Sequence, residues 1–439
     1  MGIFNTVLIA KENACPAGCS ACEEACAKER NDGVVGMIKS IHVPDIGVHE
    51  VGTCKQCGEP RCLEICPAGA IVKNETDGVV RIEENRCVGC RLCTLACPYG
   101  GMHFNVVKGK AAKCDMCEGK PKCIEACPHD ILSLGQGRTV MNYLAEDTVT
   151  HGNYLCQGCS AELALRFALR VLGKRTMVFN TSGCASLMVG GMGEDRQLMN
   201  PASRGLMPNV ASIMTGAMRY YRRKGKEATL VGFLGDGALS DVGFQALSGA
   251  AERDENLIFI CYDNEGYMNT GIQRSATTPY FGWTMTTPIG KRSKGKPEAP
   301  KNMPLIMAFH GIPYTATASV AFPEDFAKKL LKAKAVKTGM SYIHLIIPCV
   351  TGWRAPNDSA IELGRLCVET NYFPLWESEE GKFHFTYKPK KKRPIRDLTR
   401  LMGRFSHLTE SDLDEFQKIV DSRYFTIEHM TGAAEPLRV

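Results

Sequence analysis

Cysteine is the residue type through which most chemistry can enter this chain. There are 22 cysteines in 439 residues, and sixteen of them fall before residue 128 in four groups of four. The groups are Cys15, Cys19, Cys22, Cys26; Cys54, Cys57, Cys62, Cys66; Cys87, Cys90, Cys93, Cys97; and Cys114, Cys117, Cys123, Cys127. The third reads CVGCRLCTLACP, a C-x2-C-x2-C-x3-C-P spacing. Three thiolates on one tight turn can face one [4Fe–4S] cubane while the fourth points to another. The second and fourth groups keep the same ends with a longer middle. Both close on Cys-Pro, at Cys66-Pro67 and Cys127-Pro128, where proline turns the chain away. Structural zinc prefers two pairs to a triplet with a distant fourth. Disulfides do not suit cysteines this regular with no signal peptide ahead of them, so a reducing, cytoplasmic setting is expected.

A second kind of chemistry is written at 228–266. Ala228–Phe233 reads as a buried strand, followed by Gly235-Asp236-Gly237. Val242–Glu252 reads as a helix and Asn256–Tyr262 as the next strand, which runs into Asp263-Asn264-Glu265-Gly266. Such a βαβ unit implies a parallel sheet, whose ligands bind at the carboxyl ends of the strands. Asp236 offers a carboxylate, Asn264 an amide oxygen and Gly266 a carbonyl, a hard-oxygen set that suits Mg2+ sharing a diphosphate. Gly235, Gly237 and the small Ala238 allow the backbone to approach that diphosphate. Ser182 and Gly183, in the loop Thr181–Ser186 after the strand Thr176–Asn180, are either a phosphate cradle or a plain βα turn.

Four more cysteines, Cys156, Cys159, Cys184 and Cys349, can be grouped, and spacing alone leaves iron and zinc open. The helix after Cys159 is expected to be capped by Ser160. Cys261 lies in an apolar strand and reads as core; Cys367 has no partner at ligand spacing.

The elements that must position these residues fall into distinct stretches. Residues 1–135 are turn-rich and cysteine-dense, 136–150 form a linker, 151–360 alternate apolar helices with β-branched strands, and 361–439 are a polar, basic extension holding KPKKKRP. The net charge of +6 and 23% charged residues are ordinary. The run Lys388–Arg393 has no interleaved aromatics, which excludes nucleic acid and favours a solvated loop over a dock for an acidic subunit. No run of 18 apolar residues exists to span a membrane. Trp353, His151 and His344 read as structural.

Residues 150–355 resemble the thiamine-diphosphate subunit of the 2-oxoacid:ferredoxin oxidoreductases. The likeness is carried, in order, by CQGCSAELALR, NTSGCAS, GDGALSDVGFQAL, YDNEGYMNTGIQRSATTP, HGIPYTATASV and IPCVTGW. Residues 1–135 separately resemble the four-cluster electron-transfer subunit of molybdenum oxidoreductases such as dimethyl sulfoxide reductase. CKQCGEPRCLEICP, CVGCRLCTLACPYG and CDMCEGKPKCIEACP carry that likeness. The first group departs from it, with C-x3-C at Cys15–Cys19 and Ala27 where proline often follows.

The resemblance implies an α/β thiamine-diphosphate-binding fold, a mostly parallel sheet flanked by helices, preceded by an α+β poly-ferredoxin domain. It implies thiamine diphosphate, Mg2+ on Asp236, Asn264 and the Gly266 carbonyl, and five [4Fe–4S] clusters. One of these would sit on Cys156, Cys159, Cys184 and Cys349. Asn269 would face the reactive carbon, with Tyr267 beside it. In the ferredoxin part, Cys15, Cys19 and Cys22 would take Cys127, and Cys114, Cys117 and Cys123 would take Cys26. Cys54, Cys57 and Cys62 would take Cys97, and Cys87, Cys90 and Cys93 would take Cys66.

The activity implied is CoA-acylating oxidative decarboxylation of a 2-oxoacid, in a complex with alpha- and gamma-type subunits. Coenzyme A and the 2-oxoacid would meet at a shared site, and ferredoxin or a flavin/NAD subunit would accept the electrons. The fusion and size most resemble the phenylglyoxylate-oxidising members; pyruvate, oxalate and indolepyruvate stay open. The carboxylate that thiamine enzymes need beside the aminopyrimidine comes from another subunit in that family. Glu162, the nearest candidate here, suits helix-end stabilisation better. A pure electron-transfer subunit and a non-oxidative thiamine enzyme are the rival classes.

Overall fold

The computed structural model describes residues 6–10, 15–16, 18–30, 36–43, 48–57, 60–74, 77–97, 99–136, 144–145, 147–150, 152, 154–189 and 198–432. His151 and most of the expected linker lie outside them. The chain divides into two compact units, Met1–Tyr143 and Leu144–Val439.

The first unit is built from short repeated pieces. The third cysteine of each group sits on a helix: Cys22 on Ala21–Arg30, Cys62 on Arg61–Glu64, Cys93 on Leu92–Ala96 and Cys123 on Lys122–Glu125. All four are buried. Small antiparallel pairs join the pieces: Lys39–Val43 with Val48–Gly52, Ile71–Lys73 with Val80–Ile82, and Met102–Asn105 with Lys110–Lys113. Thr6–Ala10 pairs with Leu132–Gln136, so the two ends of the unit close on each other. Among the described residues the core consists of cysteines and a few aliphatic side chains. Apart from the ten-residue helix Ala21–Arg30, the elements have three to five residues, and with so little apolar backing they need ligand bonds to hold them.

The second unit is a doubly wound sheet. Its strands are β1 (Thr176–Thr181), β2 (Ala202–Gly205), β3 (Thr229–Gly235), β4 (Ile258–Asp263), β5 (Tyr314–Ser319), β6 (Ser341–Ile346), β7 (Leu375–Glu379) and β8 (Lys382–Tyr387). Their order is β2-β1-β3-β4-β6-β5-β7-β8. The first six are parallel, and β7 and β8 add an antiparallel hairpin at one edge. The fold expected from the resemblance is the one observed. Every residue of β4, β5 and β6 is buried, as a sheet covered on both faces requires. One core cluster packs the helices Val210–Arg223, Phe244–Glu252 and Met303–Phe309 on the sheet through Met214, Leu247, Met307 and Phe259. Cys261 belongs to this cluster, as expected of a core thiol.

Residues beyond 360 are built into this unit. Leu363, Cys367, Phe405, Phe416 and Val420 form a second core cluster with Trp353 and Ile346. The helix Glu410–Thr431 opens with a capping box, in which Thr409 accepts from Asp412 N–H and the Asp412 carboxylate accepts from Thr409 N–H. The basic run at 388–394 is a mostly exposed loop, as expected, and its side chains find surface partners. Lys388 pairs with Glu428 at 3.3 Å, Arg393 with Asp397 at 2.8 Å, and Lys392 with Asp421. No helix among the described residues is long and apolar enough to cross a membrane.

Leu247 is fully buried between helix and sheet. Leu247→Ala should cost about 2–5 kcal/mol through lost transfer energy and a cavity. Urea denaturation of the full chain, followed by far-UV circular dichroism, should show an earlier midpoint.

Candidate active site

The strand order reverses beside β1: the chain leaves β1 outward to β2 and returns on the other side as β3. A crevice opens at the carboxyl ends of strands at such a switch point. Here it is lined by Ser182, Gly183 and Cys184 after β1, by Gly235 to Ala238 after β3, and by Asn264 and Gly266 after β4. Tyr267 and Asn269 line the same pocket. All ten residues expected to bind cofactor or act in catalysis are therefore brought together. The expected helix after the Gly-Asp-Gly turn begins as a π-helical turn, Gly237–Val242, before the α-helix Phe244–Glu252. Such turns recur at functional sites because they re-aim the backbone. The Tyr267 ring packs against Gly237, where a Cβ would lie 2.4 Å from its Cε1, and its hydroxyl lies 3.1 Å from Gly237 O and 3.2 Å from Asp241 Oδ2.

The oxygens at the strand ends test the site for a cation. Asp236 is 1% exposed. Burial, then the neighbouring Asp263, pushes its carboxyl well above the usual carboxylate range. The inward atom of the Asn264 carboxamide lies 2.8 Å from Gly266 O and 3.1 Å from Asp236 Oδ1. If that atom is nitrogen, it donates to both. If it is oxygen, it faces two other oxygens, which a cation, or a proton on the raised Asp236 carboxyl, would make tolerable. Adjacent ligands of an octahedral Mg2+ lie about 3.0 Å apart, so the oxygen orientation fits the metal. In that orientation the amide nitrogen points to Cys184 Sγ at 4.0 Å. Asp263 does not join the set. Its carboxylate is engaged by Thr277 at 2.8 Å, His344 Nε2 at 2.8 Å and Glu265 N–H at 2.8 Å. His344 is structural, as expected.

Cys184 links this pocket to the other expected cysteines. Burial, then Cys349, Cys159 and Cys156, pushes its thiol up to about 12. Cys349 is pushed up to about 11 by burial, while the Gly352 N–H, 3.2 Å from its sulfur, opposes the shift. Burial raises Cys184, Cys349 and Cys159, and neighbouring thiols of the set add to each, so the group suits a cationic cluster core, which would deprotonate them. Ser160 does not cap its helix. Cys159 occupies the N-cap position, and the Ser160 hydroxyl donates to Pro348 O at 3.3 Å, next to Cys349. Glu162 is engaged by Arg166 at 2.8 Å and does not line the pocket.

In the first unit the thiol neighbours fall into sets. Burial raises Cys57 and Cys62, with Cys54 and Cys97 adding to both. Burial raises Cys93, helped by Cys87, Cys90 and Cys66. Cys123 is pushed up to about 12 by burial, then by Cys114, Cys26 and Cys117. Cys22 is raised to about 11 by burial, then by Glu23, with Cys15 and Cys19 among the lesser causes. Cys127 differs: burial raises it, but N–H groups of residues 129–132 outweigh that and hold it below the usual thiol range.

Sequence reasoning missed several participants. Tyr262 lines the pocket from the end of β4, its hydroxyl accepting from Ala185 N–H at 3.3 Å. Arg404 is 1% exposed and pairs with Glu265, which lies between Asn264 and Gly266, and Tyr372 also donates to that carboxylate. The Arg404 guanidinium stacks 4.3 Å over Trp353, whose indole donates to Asn264 O at 2.9 Å. Trp353 is thus core, as expected, and braces the loop as well. Another group capable of holding a metal, Glu377, Glu379 and His384, already has the Lys332 ammonium 2.6 Å from both carboxylates.

Comparison with known proteins agrees with these two sites. Residues 48–137 match the 4Fe-4S dicluster domain, and 181–345 match the C-terminal TPP-binding domain of thiamine pyrophosphate enzymes. The NADH-dependent phenylglyoxylate dehydrogenase subunit beta of Aromatoleum evansii is 41% identical over 428 residues, covering 95% of this chain and 96% of its own. The chain belongs to the 2-oxoacid:ferredoxin oxidoreductase family. Within the family, pyruvate synthase subunit PorB of Methanothermobacter marburgensis is 46% identical over 278 residues, 63% of this chain and 96% of its own. Ketoisovalerate oxidoreductase subunit VorB of Pyrococcus horikoshii is 43% identical over 282 residues, 63% of this chain and 90% of its own.

Gly158, between Cys156 and Cys159, has φ +77°, and a Cβ there would lie 1.8 Å from Asn357 O. Gly158→Ala must move the cysteine loop away from the Cys349 segment. Iron analysis should show a loss of about four irons per chain, while bound thiamine diphosphate persists.

Proposed function

We propose that this chain is the thiamine-diphosphate and electron-transfer subunit of a CoA-acylating 2-oxoacid oxidoreductase complex, with phenylglyoxylate as substrate. The observation that carries the reading is the convergence of Asp236 Oδ1, the Asn264 amide and Gly266 O beside Cys184. It supports a Mg2+–diphosphate site next to a thiol of the four-cysteine set. Asp236, Asn264 and Gly266 hold the metal, and Ser182 and Gly183 lie where the diphosphate oxygens enter. Thiamine diphosphate supplies, when bound, the carbon nucleophile and electron sink for decarboxylation. Asn269 lies exposed in the pocket, where its amide can orient the substrate by hydrogen bonding. Tyr267 holds the Gly237 backbone in place through its ring and hydroxyl. Cys156, Cys159, Cys184 and Cys349 hold a [4Fe–4S] cluster that accepts electrons singly. The four clusters of the first unit lead them away, on the ligand sets Cys15/Cys19/Cys22/Cys127, Cys26/Cys114/Cys117/Cys123, Cys54/Cys57/Cys62/Cys97 and Cys66/Cys87/Cys90/Cys93. The final acceptor is a ferredoxin or a flavin/NAD subunit, and the setting is cytoplasmic.

No free carboxylate among the described residues lines the pocket beyond Asp236, and Glu162 is committed to Arg166. We assign the carboxylate that activates the cofactor to a partner subunit, as the family resemblance implies. The substrate assignment rests on the relative that matches 95% of this chain, both units included. The 46% identity of the pyruvate synthase subunit, confined to 63% of the chain, keeps pyruvate as the second reading.

Acid release should yield about one thiamine diphosphate per chain. The chain alone should turn over no 2-oxoacid, whereas the intact complex should reduce an acceptor dye with phenylglyoxylate faster than with pyruvate, oxalate or indolepyruvate. Turnover by the lone chain would refute the shared site, and a preference for pyruvate would refute the substrate.

A further inference from the structure

We propose that a cavity at the amino ends of β3 and β4 is a binding site for a nucleoside di- or triphosphate. The cavity measures about 460 Å3, within the range of small-molecule sites. Thr229 and Leu230, which open β3, and Ile258, which opens β4, line it. The thiamine crevice lies at the other ends of the same strands, where Gly235 and Asp236 stand, and no residue lines both. A strand rises about 3.3 Å per residue, so β3 sets the two sites roughly 20 Å apart.

Five cations line this cavity, Arg175, Arg222, Lys226, Lys334 and Lys337, against one carboxylate, Glu227. Among the described residues none of the five enters an ion pair, and the Lys334 ammonium donates to a neutral acceptor, Leu172 O, at 2.6 Å. Cations just outside the cavity are neutralised. Arg219, one turn before Arg222, has Glu255 at 2.8 Å, and Lys332 has Glu377 and Glu379 at 2.6 Å. Arg222 and Lys334 lie in the last turns of the helices Val210–Arg223 and Pro323–Ala335, where the helix dipole favours a cation. That reason does not reach Arg175, Lys226 and Lys337, which belong to no helix or strand. Burial, then the Lys337 charge, pushes the Lys334 ammonium below its usual range, so the cations repel one another. A cleft lined by one sign of charge focuses its field and gathers counter-ions.

The lining also states what kind of anion fits. The two guanidinium groups suit phosphate, whose oxygens accept two parallel N–H bonds from one arginine. All five cations are exposed, whereas Met218, Leu230, Ile258 and Ala333 are buried, so a basic rim stands over an apolar floor. Such a site asks for clustered negative charge on an apolar body. A nucleoside polyphosphate has both; an inorganic phosphate has the charge without the body.

The test is equilibrium dialysis of the intact complex against ADP, with inorganic pyrophosphate as the second probe. Iron and thiamine diphosphate are counted first, so that variants are compared at equal cofactor content. Lys226→Gln/Lys337→Gln changes two exposed side chains and should weaken ADP binding at this site by about tenfold or more, through lost charge-assisted contacts. The ADP held by wild type in excess of this variant should approach about one per chain. Lys390→Gln/Lys391→Gln, with the same loss of charge on the exposed 388–394 run, should bind ADP as wild type does. Should the first variant lose cofactor, the single Lys226→Gln decides by the same comparison. No excess over the cavity variant, or an equal loss in the 390/391 variant, overturns the proposal. If the cavity variant shows no excess and sheds a subunit in gel filtration, the cavity holds an acidic segment of that subunit instead. Pyrophosphate binding as tightly as ADP overturns the nucleotide assignment.

Discussion

Acidic oxygens are buried at the carboxyl end of the central sheet, and the rest of the second unit is arranged around that cost. Asp236, Asp263 and Glu265 are 1%, 4% and 5% exposed, and all lie at the carboxyl ends of two adjacent strands or in the turns after them. Three carboxylates cannot share a dry site without compensation. The structure compensates two of them internally. Asp263 is met by His344, Thr277 and a backbone N–H, and Glu265 by Arg404 and Tyr372. The Thr277 hydroxyl lies between Asp236, at 3.0 Å, and Asp263, with one proton for both, and the other Asp236 oxygen faces Asn264.

The compensation explains why residues beyond 360 are not an appendage. Arg404 reaches the loop from a segment that sequence spacing cannot connect to it, 139 positions from Glu265. Glu265 adopts a left-handed backbone, φ +65°, which is unusual for a residue with a side chain and needs outside support. Arg404 supplies that support, and its stacking on Trp353 fixes the Asn264 carbonyl as well. Breaking one buried partner would leave the other charge stranded, so the loop and the C-terminal helices stand or fall together.

The sequence made legible what local spacing encodes. The cysteine groups, the Gly-Asp-Gly turn, the Asn264 partner and the βαβ order between them are all short-range patterns set by ligand geometry and strand length. The parallel sheet followed from β-branched strands alternating with amphipathic helices. What was not legible depends on distant pairing. The β7–β8 hairpin, the Glu265–Arg404 pair and the role of Tyr262 arise from tertiary packing, and nothing in their local text marks them. Ser160 shows the same limit at short range. A serine one residue before an apolar helix is a reasonable cap, but a carbonyl beside Cys349 competed for its hydroxyl, and Cys159 took the cap position.

One loop and one side chain tie the carbon chemistry to the electron chemistry. Ser182, Gly183 and Cys184 are consecutive, so the backbone that approaches the diphosphate also carries a thiol of the cysteine set. Asn264 faces both sites: one end of its amide meets Asp236 and Gly266, the other lies 4.0 Å from the Cys184 sulfur. An amide cannot turn end over end without exchanging donor for acceptor at both places at once. A cation that selects the oxygen for the metal side therefore selects the N–H for the sulfur side. Hydrogen bonds to sulfur are among the determinants of a cluster's potential. A cation at the strand ends would thus be felt at the neighbouring sulfur through the orientation of this one carboxamide.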